Sequence, residues 1–301
     1  MSLSSHPIQS SDHAPRESIF RLQGPDARLF LQGQTTADFQ QAAVGEHRFA
    51  AFCNPKGRIL ADVLAVVVAE DTILLRGRTG VMEQLIAHLK PYLAFSKSEL
   101  TTTDWTSRCG NALSDHRSEP VQQQSAAADG ALTLITIDRG EGLTEYWQQG
   151  SAKTPLDIEY EIPLAVVDFE TARARVETTT IGMYLPQDLN YDLNETVSFT
   201  KGCYTGQEIV ARLHYRGTPK RRLYRATAAH TATKPAAGDA ITNAAGQRIG
   251  SVVNLLELDE QLGLLIEIVP ANASDTLWVR EGDMALSSPE ACHSTTDQST
   301  G

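Results

Sequence analysis

Lys201-Gly202-Cys203-Tyr204-Thr205-Gly206-Gln207-Glu208 is the stretch on which the reading of this chain turns. A thiol stands two residues after an ammonium, with glycines on either side, and a phenol, an amide and a carboxylate follow. The amphipathic residues 209–213 read as a helix, with Gly206 as the turn that admits it. Cys203 then faces the start of that helix, where Lys201 and free backbone N–H groups both favour a thiolate over a thiol. The same residues also describe a packed turn whose small Cys is made inert by apolar burial. Spacing alone leaves both readings open.

Working outward, Lys201, Arg212, Arg216, Lys220, Arg221, Arg222 and Arg225 gather positive charge with only Glu208 between them as an acid. That run is a solvated basic face or an anion-binding one. It is local, because the 301-residue chain carries a net charge of −11, which argues against a broad nucleic-acid-binding surface. Hydrophobic content of 41% and charged content of 21% are those of a soluble globular protein, and the length suggests two or three domains. No apolar run approaches the ~20 residues that span a bilayer, so no membrane partner is expected. Residues 1–17 are rich in Ser and His without an apolar core, unlike a secretory signal. The cysteines Cys53, Cys109, Cys203 and Cys292 have neither disulfide-framework nor zinc spacing, which fits a reducing cytoplasm.

Before the octapeptide, Gly24-Pro25-Asp26 starts a helix in which Phe30 and Leu31 face inward. Residues 53–58 cluster turn formers, and the β-branched runs 59–68 and 72–76 form a hairpin. Val81, Met82, Leu85, Ile86 and Leu89 recur at helical spacing until Pro91. Residues 99–106 read as a strand, 111–130 as a surface loop, and 131–138 with 144–148 as a second hairpin. Residues 162–176 are of mixed helical character. After Arg222, short apolar runs at 223–229, 240–242, 248–256, 262–269 and 276–280 suggest a small β-barrel or sandwich. The expected partition is a flexible tail (1–18), two interleaved α/β lobes (19–220), a C-terminal β-barrel (221–286) and a disordered tail (287–301).

The octapeptide resembles the signature of the YgfZ family of folate-binding proteins, in the superfamily of the glycine-cleavage T-protein, an aminomethyltransferase. Flanking blocks follow in order: Leu31-Gln32-Gly33-Gln34-Thr35-Thr36-Ala37-Asp38, Asn54-Pro55-Lys56-Gly57-Arg58, Leu185-Pro186-Gln187 with Val197-Ser198-Phe199, and Ile209-Val210-Ala211-Arg212. The resemblance implies an α+β, T-protein-like three-lobed fold, with two α/β lobes and a C-terminal antiparallel β-barrel around a central folate cleft. Arg175-Val176-Glu177 is similar to the T-protein's Arg-Leu-Glu, whose Glu binds the pterin, so Glu177 becomes the expected pterin contact. The resemblance also brings Lys201, Tyr204, Gln207, Glu208, Arg212 and Phe199 into the expected cofactor-binding set. The T-protein's paired acids are reduced here to Ala61-Asp62, and Cys203 stands where the T-protein commonly has an acid. Cys203, Lys201 and Asp62 are the expected chemical groups.

What this implies is a protein that binds tetrahydrofolate or a derivative, polyglutamylated forms included, and supports iron–sulfur cluster assembly or repair. Its partners are iron–sulfur assembly or client proteins, and its effect on tRNA modification is indirect. One thiol cannot hold a cluster that usually takes four ligands, so the others come from a partner. A tetrahydrofolate-dependent one-carbon transferase and a direct tRNA-binding module are the alternatives.

Overall fold

A computed structural model describes residues 16–112, 121–125, 132–140, 142–150, 158–280 and 283–292. Strands β1 (Glu17–Gln23), β2 (His47–Cys53), β3 (Ile59–Ala69), β4 (Thr72–Arg78) and β5 (Glu99–Thr102) make the first sheet, ordered β2-β3-β4-β1-β5. Helices α1 (Ala27–Gln34) and α2 (Thr79–Leu93) cover one of its faces. Side chains alternate across a strand, and here the alternation sorts two cores. Ala61, Val63, Ala65, Val67, Ile73 and Leu75 pack towards the helices, while Leu64, Val66 and Leu74 pack against Ile135, Ile137 and Trp147 of a second sheet. Burial on both faces is why residues 59–69 read as a nearly unbroken apolar run.

That second sheet holds β6 (Trp105–Ala112), β7 (Val121–Ser125), β8 (Leu132–Gly140), β9 (Leu143–Gln149) and β10 (Ile158–Glu161), ordered β10-β6-β9-β8-β7. Two expectations change. Residues 99–106 divide into β5 and β6, which belong to different sheets, and the expected loop at 111–130 contains β7, paired antiparallel to β8. α2 also runs two residues past Pro91, which stands in its last turn.

Helix α3 (Leu164–Glu170) leads into an irregular segment, and α4 (Gln207–Arg216) follows the octapeptide. The third sheet collects β11 (Arg222–Ala229), β12 (Ala240–Thr242), β13 (Arg248–Glu257), β14 (Gln261–Ile268), β15 (Trp278–Val279), β16 (Met284–Ala285) and β17 (Glu290–Ala291). Their order, β16-β15-β12-β13-β14-β11-β17, is that of a curled half-barrel sheet, in keeping with the expected C-terminal β-domain. Residues 287–292, placed in a tail by the sequence, extend this sheet: β17 pairs with Tyr224 and Arg225, and Ser287 N–H donates to Thr227 O. At the other end, Glu17 and Ser18 belong to β1, while residues 1–15 and 293–301 lie outside the described residues.

Candidate functional site

The four sequence blocks that flank the octapeptide converge on it. Lys201 Nζ donates to the carbonyls of Gln32 (2.8 Å), Thr35 (2.6 Å) and Ala37 (2.7 Å), closing off the C-terminal end of α1. Gly206 has φ +87°, and a Cβ there would lie 2.5 Å from Asn54 O and 3.0 Å from Gly57 Cα. Gly57, at φ +71°, is as close to Ile209. The turn at 54–57 therefore seats against the first turn of α4, which only glycine permits on both sides. Gln187 Nε2 completes the enclosure by donating to Val210 O at 2.8 Å.

This packing corrects the expected roles. Lys201 is set by the sequence beside Cys203 as its activator, but its ammonium turns inward and its three protons serve backbone carbonyls. Burial pulls its pKa down to about 8, which leaves it charged at neutral pH. Tyr204, expected against a cofactor, is buried, its ring 5.1 Å from Lys201 Nζ and its phenol pushed upward by that burial. Gln207 is half-buried; Glu208 and Arg212 are exposed. Cys203 itself is exposed, and it differs in this from the other three thiols. Burial pushes Cys53, Cys109 and Cys292 up to about 12, which holds them as neutral thiols.

The basic run separates in the same way. Arg222 forms a two-pronged ion pair with Asp192 (2.6 and 3.0 Å), Arg225 donates to Phe169 O and Glu170 O, and Arg221 lies 3.2 Å from Glu267. Arg212, Arg216 and Lys220 are left exposed with no described ion pair.

A second assembly joins all three sheets. Arg76 of β4 pairs with Glu145 of β9 (2.6 Å) and Glu17 of β1 (2.8 Å). Arg139 pairs with Glu145 and with Asp168 of α3 (3.2 Å). Arg175 reaches Asp168 (3.3 Å), Glu17 (3.5 Å) and Asp62 of β3. The other Asp62 oxygen accepts from Val176 N–H at 2.6 Å, so both its oxygens are taken. Burial works against the charges of Glu145 and Asp168. The arginines outweigh it, chiefly Arg76 and Arg139 for Glu145 and Arg175 and Arg139 for Asp168, and hold both carboxyls below their usual range. Glu177 sits at the end of this chain of charges, its side chain 25% exposed. Arg78 and Asn254 Nδ2 (3.2 Å), the latter from the third sheet, both donate to its Oε1, and Oε2 carries no described hydrogen bond.

The network stands between two cavities, one of about 530 Å³ lined by Phe49, Arg139 and Arg173, the other of about 360 Å³ lined by Glu17, Arg78 and Asp168. Asp62 and Glu177 are thus brought into one assembly through Arg175 and Glu17, whereas Cys203 belongs to another. No described hydrogen bond or ion pair links the two. Arg76, Arg78, Arg139, Glu145 and Asp168 were not singled out from the sequence. Their signal was there: charged residues inside apolar runs, such as Arg76 and Arg78 at the end of β4 and Asp168 between Val167 and Phe169.

Comparison with known proteins agrees with this architecture. Residues 16–123 match the GCVT N-terminal domain. The tRNA-modifying protein YgfZ of Cronobacter sakazakii is 29% identical over 278 residues, covering 86% of this chain and 84% of that protein. The protein of the same name from Yersinia pseudotuberculosis is 26% identical, over 81% and 79%. The glycine cleavage system aminomethyltransferase T from Bartonella henselae shares the fold at a TM-score of 0.66 and 16% identity, covering 94% of this chain and 84% of its own. The chain is thus similar to YgfZ-type proteins over most of its length and to the T-protein in its fold. The likeness to the T-protein is one of fold, and in this chain that fold carries an exposed thiol at Cys203.

Proposed function

We propose that this protein binds a reduced folate in a tRNA-modification-linked role, and that it does so as an accessory factor in iron–sulfur cluster assembly or repair. The observation that carries the folate reading is the carboxylate of Glu177. Two donors from different sheets hold one of its oxygens, and the other is left for an incoming donor. A reduced pterin presents an amidine-like N–H edge suited to a fixed carboxylate. Tetrahydrofolate, when bound, supplies a carrier for one-carbon units at its nitrogens. The chain's own residues orient it: Glu177 receives the pterin edge, Arg78 and Asn254 fix Glu177, and Arg175 with Asp62 holds the segment that presents it. Cys203 is the thiol available to an iron or sulfur atom on a partner. Among the described residues no group of three or more potential metal ligands occurs, so cluster ligands besides Cys203 come from that partner.

A one-carbon transferase is the weaker reading, because Asp62, its expected carboxylate, is committed to Arg175 and Val176. The test is a thermal-shift titration with tetrahydrofolate. Saturation at ~100 times Kd adds about 2.7 kcal/mol of stability and raises the melting temperature. Glu177→Gln removes that rise, and Cys203→Ala keeps it while failing to support cellular iron–sulfur enzymes. No stabilisation of the wild type far above micromolar tetrahydrofolate defeats the folate reading, and full support by Cys203→Ala defeats the role of the thiol.

A further inference from the structure

The outer side of α4 carries a group of rings and cations that neither the octapeptide's packing nor the Glu177 site uses. Phe199 and His214 stack face to face, with centroids 3.6 Å apart and planes at 12°. Tyr215 stands edge-on to both, at 6.1 Å and 4.7 Å, and is 66% exposed. Arg212 and Arg216 lie one helical turn apart, Arg212 and Tyr215 are three residues apart, and Lys220 follows the helix; all are exposed. The helix contributes one exposed acid, Glu208, at its far end.

We propose that this face of α4 docks unpaired RNA, with bases stacking on Tyr215 and His214 and phosphates held by Arg212, Arg216 and Lys220. Stacking rings beside unpaired cations are how single strands are bound without sequence readout. Charge complementarity selects the occupant. In a chain of net charge −11, three cations with no ion pair among the described residues form a local anion-seeking face, while neighbouring Arg222 is neutralised by Asp192. A two-fold contact of this face with itself would set these cations against their like. A bilayer would find only Ile209 and Tyr215 as large apolar side chains exposed on the helix. The preference for RNA over DNA rests on the tRNA-linked reading above. The position adds a consequence: Phe199, on which His214 stacks, is four residues before Cys203, so its backbone lies within about 14 Å of that of the exposed thiol.

The test is fluorescence anisotropy of the full chain with a labelled single-stranded RNA of about a dozen nucleotides, repeated with the same DNA sequence and with duplex RNA. The expected result is tighter binding of single-stranded RNA than of either, with log affinity falling against log salt at a slope of about −2, from three phosphates at −0.7 each. Tyr215→Ala weakens binding about tenfold and Tyr215→Phe restores it, because the ring and not the hydroxyl makes the contact. Arg212→Glu with Arg216→Glu removes most of the affinity and flattens the salt slope. The matched reversals Arg21→Glu with Arg248→Glu, at exposed positions on the first and third sheets, leave both in place. Equal loss from the two reversal pairs, indifference to Tyr215→Ala, or a preference for duplex or DNA overturns the proposal. Tyr215→Ala keeps tetrahydrofolate stabilisation, so loss of RNA binding and loss of folate binding are separate results.

Discussion

Cys203 and Cys53 show how one functional group takes opposite exposures in a single chain. Gly206, three residues after Cys203, packs closely on Asn54 and the Cβ of Cys53. Cys53 is buried and pushed up to about 12, and Cys203 is exposed. Reactivity follows the thiolate fraction and access. Brief treatment of the native protein with iodoacetamide at pH 8 therefore modifies Cys203 alone, with Cys53, Cys109 and Cys292 labelled only after unfolding. Peptide mass spectrometry reads this directly, and labelling of Cys53 at a comparable rate would contradict the burial described. Exposure of Cys203 was not decidable from spacing, since the octapeptide fits a buried turn as well. Nor was the direction of Lys201, whose acceptors lie more than 160 residues earlier in the chain.

At the scale of elements, α4 is held by close backbone approach more than by an apolar face; Val210 is its one fully buried side chain. Gly206→Ala forces a Cβ into Asn54 O and a side chain into the left-handed region, and should cost at least about 2 kcal/mol in urea unfolding. Gly202→Ala, where a Cβ meets nothing within 4 Å, should stay within about 0.5 kcal/mol. Equal effects would show that the turn at 54–57 does not seat α4. Elements such as β3, β4 and α1 were legible in the sequence because local alternation or a local start signal specifies each one. β7 was not. Its strand Val121–Ser125 carries three consecutive glutamines, and pairing with β8 gives it the order that its own pattern does not suggest. The joining of Arg76 to Glu145 and of Arg175 to Asp62 was hidden for a different reason: single-sequence periodicity shows which face a residue takes, not what lies opposite.

The whole molecule is held together at junctions that bury charge, and these make its stability depend on pH. At the seam between body and third sheet, Glu267 of β14 is 3% exposed. It accepts from Ser251 Oγ at 2.8 Å, with Arg221 at 3.2 Å, and Tyr184 of the body lies 3.1 Å from the same Ser251 oxygen. Burial raises Glu267 to about 7 from an ordinary 4.5, with buried Asp188 adding to the effect and Arg221 and Arg248 opposing it. Between about pH 4.5 and 7 the folded chain therefore keeps a proton that the unfolded chain has released. Stability from this group is complete below pH 4.5 and is lost as pH rises through 7, by up to about 3 kcal/mol at 1.36 kcal/mol per pKa unit. Glu267→Gln keeps the neutral shape without the titration. Urea midpoints at pH 5 and pH 8 should fall further for the wild type than for the variant, and the variant should be the more stable of the two at pH 8. Parallel changes in both proteins would show that Glu267 ionises in the folded state without penalty, and that Arg221 compensates it fully. The sign matters for the frame: buried arginines hold Glu145 and Asp168 below their usual range, whereas Glu267 has one partly exposed arginine, so the seam to the third sheet is the junction that rising pH loosens first.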